Sequence, residues 1–130
     1  MQLSKTTVRV DDLGDGARQA IITAAILLSL KRTAVLLEDP EVHQHPGGLT
    51  HLMDFVLKVA KERGHQLFIT THSIELVGMV SKLCEEHDIK WKIYYLERDS
   101  DGIVDVRELE KIDLEVCRKI GLDPRFLYML

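Results

Sequence analysis

The chain has 130 residues, of which 45% are apolar and 29% charged, enough for one compact core and too balanced for a disordered polyelectrolyte. Its 17 basic and 21 acidic residues leave a net charge of -4, so no basic surface marks a nucleic-acid binder. The most apolar run, residues 20–30, contains Thr23 and is too short to cross a bilayer, and the first residues lack a secretory layout. Two cysteines, Cys84 and Cys117, form no CxxC pair, which fits a soluble, cytoplasmic chain with buried thiols.

Residues 6–10 have the pattern of a short strand, and residues 11–16, rich in Asp and Gly, that of a turn. Residues 17–30 are helical in period, with Ile22, Ile26 and Leu30 on one face and Ile21, Ala25 and Leu28 widening it. That breadth predicts a mostly buried helix, with Asp15 as its N-cap. Residues 34–37 (AVLL) form a short apolar run ending at Glu38-Asp39-Pro40, the pattern of a buried parallel strand. After Pro46-Gly47-Gly48, the positions Leu49, Leu52, Met53, Val56, Leu57 and Ala60 recur at helical spacing, and Gly64 is placed to stop the helix.

Residues 66–71 (QLFITT) read as a second buried strand, after which Ser73 can cap a helix carrying Leu76, Val77, Val80, Leu83 and Cys84. Two alternating segments, residues 91–97 and 103–109, flank Asp99-Ser100-Asp101-Gly102 and predict a β-hairpin. Residues 113–120 suggest a last short helix. The order implies an α/β fold, a parallel sheet flanked by helices with a C-terminal β-hairpin, in a single domain over residues 1–130.

Ligands in open parallel sheets bind at the carboxyl ends of the strands. Here one strand ends in Glu38-Asp39-Pro40-Glu41 and the next in Thr71-His72-Ser73, so adjacent strands would bring acids and an imidazole together. A carboxylate leaving a strand can hold Mg²⁺, a second can orient and deprotonate water, and an imidazole can donate to a phosphate. Leu13-Gly14-Asp15-Gly16 runs straight into a helix, whose N-terminal N–H groups favour an anion, and Arg18 adds a positive charge in the first turn.

Taken in order, Leu13-Gly14-Asp15-Gly16-Ala17, the acidic-Pro-Glu run followed by His43-Gln44-His45-Pro46, and Ile69-Thr70-Thr71-His72-Ser73 resemble the C-terminal half of an ABC-type ATPase head. The resemblance is nearest the RecF, SMC and OLD-like branch of the P-loop NTPases. It implies ATP and Mg²⁺ as ligands, with Leu13, Gly14, Gly16 and Arg18 in a signature loop that meets ATP held by a second subunit. Glu38 would be the Walker B acid near Mg²⁺, and Asp39 the general base, touching Mg²⁺ through water. His43 and His45 would lie in a D-loop at a dimer interface, and His72 would be the switch histidine sensing the γ-phosphate.

Three departures qualify that pattern. The acid pair is Glu38 then Asp39 where Asp then Glu is usual, so the shorter base would sit farther from the water. Asp15 occupies a position where glycine is common. No Walker A motif is present, since none of the eight glycines is followed by Lys. A chain without it should be inactive alone and need a Walker A-bearing N-terminal segment or partner subunit, with self-association through the head. DNA is a conceivable partner that nothing in the composition indicates.

Two other readings compete. Glu38, Asp39, Glu41, His43 and His45 offer mixed carboxylate and imidazole ligands for a metal-dependent hydrolase. Alternatively, the apolar residues 126–130 suit a non-enzymatic interaction module.

Overall fold

In the computed structural model, residues 13–110, 112–113 and 115–116 are described, and they fall in two compact units that divide after His87. The first unit contains α1 (Asp15–Ser29), β1 (Ala34–Glu38), α2 (Pro46–Arg63), β2 (Gln66–Thr70) and α3 (Ile74–Glu86). The second contains β3 (Ile93–Arg98) and β4 (Val104–Leu109). The expected strand over residues 6–10, most of the last helix, Cys117 and residues 126–130 lie outside the described residues.

α2 is the centre of the first unit and packs against both α1 and α3. Its apolar residues fall on one stripe, so Leu49, Leu52, Met53, Val56, Leu57, Val59 and Ala60 are all buried. Pro46 opens the helix with its φ already set, and His45 Nδ1 accepts the Gly47 N–H at 3.2 Å. At the other end Gly64 turns left-handed, with φ +71°. Its N–H reaches Lys61 O at 3.4 Å and the His65 N–H reaches Ala60 O at 2.9 Å, a Schellman closure that only a residue without Cβ enters cheaply.

β1 and β2 pair in parallel, with Ala34 opposite Gln66 and Glu38 opposite Thr70. The chain crosses between them through α2, as expected from the strand–helix–strand order. His65 ties the entrance of this sheet to α1: its Nε2 lies 3.0 Å from Leu27 O, while Nδ1 lies 3.4 Å from the Thr33 N–H. The acceptor role at Nδ1 assigns the proton to Nε2, which then donates to Leu27 O.

Burial corrects two sequence expectations. The strands are covered on one face only: Val35 and Leu37 alternate with exposed Ala34 and Leu36, and Leu67 and Ile69 with exposed Gln66 and Phe68. Leu36 is 77% exposed and Phe68, directly opposite, 50%. In α1 only Leu27 is buried, and Ile21, Ile22, Ile26 and Leu28 stand in solvent. Periodicity identifies an apolar face, but it does not supply the layer that must cover it.

The N-cap of α1 also differs from expectation. Gly14, not Asp15, occupies that position, and no side chain among the described residues caps the helix. Asp15 is the first helical residue and accepts a hydrogen bond from Arg18 Nη2 at 2.9 Å. Ser73 does cap α3, its Oγ accepting the Leu76 N–H at 3.2 Å. Cys84 lies buried in that helix.

α3 ends at His87, whose Nε2 lies 2.6 Å from Asp54 Oδ1 on α2, while Lys58 Nζ donates to Asp54 Oδ2 at 2.7 Å. The Lys58 hydrogen bond, then that from His87, hold the Asp54 carboxyl below the usual carboxylate range. A depressed folded-state pKa contributes stability above the ordinary aspartate range, and that contribution is lost as pH falls through the folded value. Asp54→Asn should therefore flatten the acid side of the stability profile, measured as urea midpoint from neutral pH downward. An unchanged acid slope would refute the pairing.

In the second unit β3 and β4 form the expected antiparallel hairpin, with Leu96 opposite Val106 and Arg98 opposite Val104. Asp99 Oδ1 accepts the N–H groups of Asp101 and Ile103, at 2.9 and 2.8 Å, and Gly102 takes φ +84°. Asp99 and Gly102 thus act as turn residues.

Candidate functional site

The site begins where β1 and β2 end side by side. Asp39 N–H donates to Thr70 O at 3.0 Å, extending the parallel ladder one residue beyond the strand. The chain then turns sharply: Asp39 has φ +40° and His43 φ +65°, left-handed values that residues other than glycine adopt at a cost of about 1–3 kcal/mol. Two local bonds hold the turn, Val42 N–H to Asp39 O at 3.0 Å and Gln44 N–H to Glu41 O at 3.1 Å.

Inside this loop the carboxylates are unevenly served. Asp39 Oδ1 and Glu41 Oε2 are buried without a hydrogen-bond partner among the described residues. Glu41 Oε1 accepts from Thr71 Oγ1, and Thr71 Oγ1 in turn accepts the Ser73 N–H at 2.9 Å. Glu38, by contrast, is exposed on the open face of the sheet beside Thr70. His72 is also exposed, between the two residues that bond each other across it. Buried oxygens left without donors are costly, and a hard oxygen-seeking cation such as Mg²⁺ suits them.

The far end of the same loop packs against the start of α1. Gln44 Nε2 donates to Gly16 O at 2.8 Å. A Cβ on Gly16 would lie 2.5 Å from His43 O, so the backbones approach too closely for any other residue. A Cβ on Gly14 would meet nothing within 4 Å. The two glycines of the loop thus differ, and Gly16 answers an internal packing demand.

An open cleft of about 610 Å³ lies between these parts, lined by residues 14–17, Ala20, residues 43–45 and Gly48. It gathers Gly14, Gly16, His43 and His45 as well as the first turns of α1 and α2. The uncapped first turn of α1 leaves backbone N–H groups able to meet an anion. Leu13 precedes this turn half-buried, and the Arg18 guanidinium is engaged by Asp15. Among the described residues no three His, Cys, Asp or Glu side chains converge as metal ligands, so the transition-metal reading of residues 38–45 gains no support.

Residues 2–77, more than half of the chain, match the family model described as an AAA ATPase domain. The chain belongs to the AAA ATPase domain family. The matched region contains every motif residue from Leu13 to Ser73 and ends within α3, so membership carries an ATPase-type, nucleotide-binding character for the first unit. The chain is also similar to an uncharacterized protein of Methanocaldococcus jannaschii, with 27% identity over 113 residues, 87% of this chain and 99% of the relative. No helix among the described residues is long and apolar enough to cross a membrane.

Sequence reasoning missed three features of this AAA ATPase domain. Glu41 counted as a metal ligand and as part of the acidic-Pro-Glu run, Thr71 as part of a polar cluster, and Gln44 only as a member of the His43–Pro46 run, none with a bonding role of its own. Thr71 could have been suspected from its place next to His72. The Glu41–Thr71 bond spans 30 residues, and no local pattern announces it.

Proposed function

We propose that this chain supplies the C-terminal half of an ABC-type ATP-hydrolysing head, a partial P-loop NTPase fold over residues 1–130. Its Walker A motif would come from an N-terminal half or a partner subunit. The observation that carries the reading is Asp39, held at the carboxyl end of β1 beside β2 with a buried, unpartnered Oδ1. It lies within a sequence that matches an ATPase domain. In this reading Asp39 Oδ1 orients the attacking water and takes its proton. Glu38 and, through water, Asp39 would hold Mg²⁺, which supplies charge neutralisation at the transferred phosphate.

Leu13, Gly14, Gly16 and Arg18 would approach the γ-phosphate of ATP bound by another subunit, using the uncapped start of α1. For Arg18 to contribute, its guanidinium must turn from Asp15 toward the anion. His43 and His45, exposed at the cleft, would form the dimer-facing D-loop, and His72 would contact the γ-phosphate. The uncovered face at Leu36 and Phe68, with the exposed isoleucines of α1, supports completion by another segment. Parallel sheets are ordinarily covered on both faces. Self-association through the head and a cytoplasmic setting complete the proposal.

The test is nucleotide binding and Mg²⁺-dependent hydrolysis, for the chain alone and after mixing with a Walker A-bearing protein encoded immediately upstream. Turnover only in the mixture supports the split head. Robust turnover of the isolated chain would overturn it. If neither preparation binds ATP, the interaction-module reading takes its place.

A further inference from the structure

We propose that Glu41 and Thr71 are a positioning pair, coupling the loop after β1, with its two histidines, to the loop that presents His72. The functional consequence rests on the ATPase reading; the coupling itself is a property of this chain. Glu41 Oε1 accepts from Thr71 Oγ1, and the same Thr71 oxygen accepts the Ser73 N–H at 2.9 Å. Ser73 then caps α3 through its Oγ. His72 therefore sits at the apex of a small hydroxyl-closed turn, clamped to α3 on one side and to Glu41 on the other.

The clamp is sensitive because Glu41 has little else to hold it. Its Oε2 is buried without a partner, so among the described residues the Thr71 hydroxyl is the donor that satisfies this carboxyl. Removing the hydroxyl leaves a buried carboxylate unserved, a cost relieved only if the loop moves to reach water. That motion cannot stay local. Glu41 O accepts the Gln44 N–H, and Gln44 Nε2 is bonded to Gly16 O at the start of α1. A displacement at His43 or His45 thus reaches His72 through one charge-assisted hydrogen bond, and the reverse path is equally short.

The experiment compares amide and imidazole NMR spectra of the whole chain for wild type, Thr71→Val, Thr71→Ser, Glu41→Leu and Glu41→Gln. Thr71→Val and Glu41→Leu should each displace signals in both residues 39–45 and residues 71–73, His72 included. Thr71→Ser keeps the hydroxyl and Glu41→Gln keeps a carbonyl acceptor, so both should stay near wild type. Changes confined to residues 71–73 in Thr71→Val would overturn the coupling, and this comparison stands even if Glu41→Leu fails to fold. In the completed head, Thr71→Val should lower kcat about 10- to 100-fold with KM for ATP unchanged, and Thr71→Ser should recover most of it. A rise in KM at constant kcat would overturn the positioning role. If the wild-type mixture shows no turnover, the ATPase reading fails while the spectra still decide the coupling.

Discussion

Asp39→Asn is expected to lower ATP turnover of the completed head by about 100- to 10,000-fold while leaving nucleotide binding in place. The substitution is a clean one for this position. Asp39 has φ +40°, and Asn is among the few residues other than glycine that accept left-handed backbone readily. Alanine there would mix loss of the proposed base with backbone strain. Asn also keeps the size of a side chain whose Oδ1 is buried, so no cavity opens. What disappears is the ability to accept a proton from water. Steady-state hydrolysis and equilibrium nucleotide binding, measured on the same preparation, separate the two effects. Turnover within a few-fold of wild type would place the base elsewhere and remove the central support of the reading.

Met53→Ala should cost about 2–5 kcal/mol of unfolding free energy, the range for emptying a fully buried aliphatic site. Met53 is 0% exposed on α2, the helix against which both α1 and α3 pack, so its cavity would have little room to collapse. Denaturant unfolding followed by far-UV circular dichroism measures the loss. Leu36→Ala provides the contrast: with the side chain 77% exposed, the chain's own stability should change by no more than about 0.5 kcal/mol. If Leu36→Ala nevertheless weakens assembly with the proposed Walker A-bearing partner, the open sheet face is where the proposed head is completed. A cost at Leu36 equal to that at Met53 would contradict the burial pattern.

Short-range signals were legible without any structure. The stripe from Leu49 to Ala60 specifies α2, and Gly64 ends it because a left-handed residue is needed there. Ser73 caps α3, and the Asp99 and Gly102 turn joins two alternating strands. Each of these is decided within a few residues, by the period of the element or by a side chain bonding its own backbone. Parallel pairing of β1 with β2 also followed from the order of elements, and with it the meeting of the acidic and histidine loops.

By itself, then, the sequence determined an α/β chain whose polar strand ends share one edge, and it supplied the residue types for the proposed nucleotide site. The tertiary structure decided which of them depend on one another. Only the alignment of two strand ends joins Glu41 to Thr71, 30 residues apart, and so relates His72 to the loop of His43 and His45. Only the approach of His43 O to Gly16 explains why that position has no side chain, while Gly14 is under no such demand. Burial likewise is not local. The apolar faces of α1 and β1 could be read from their spacing, but whether they are covered depends on neighbouring layers, and here Ile22 and Leu36 remain exposed.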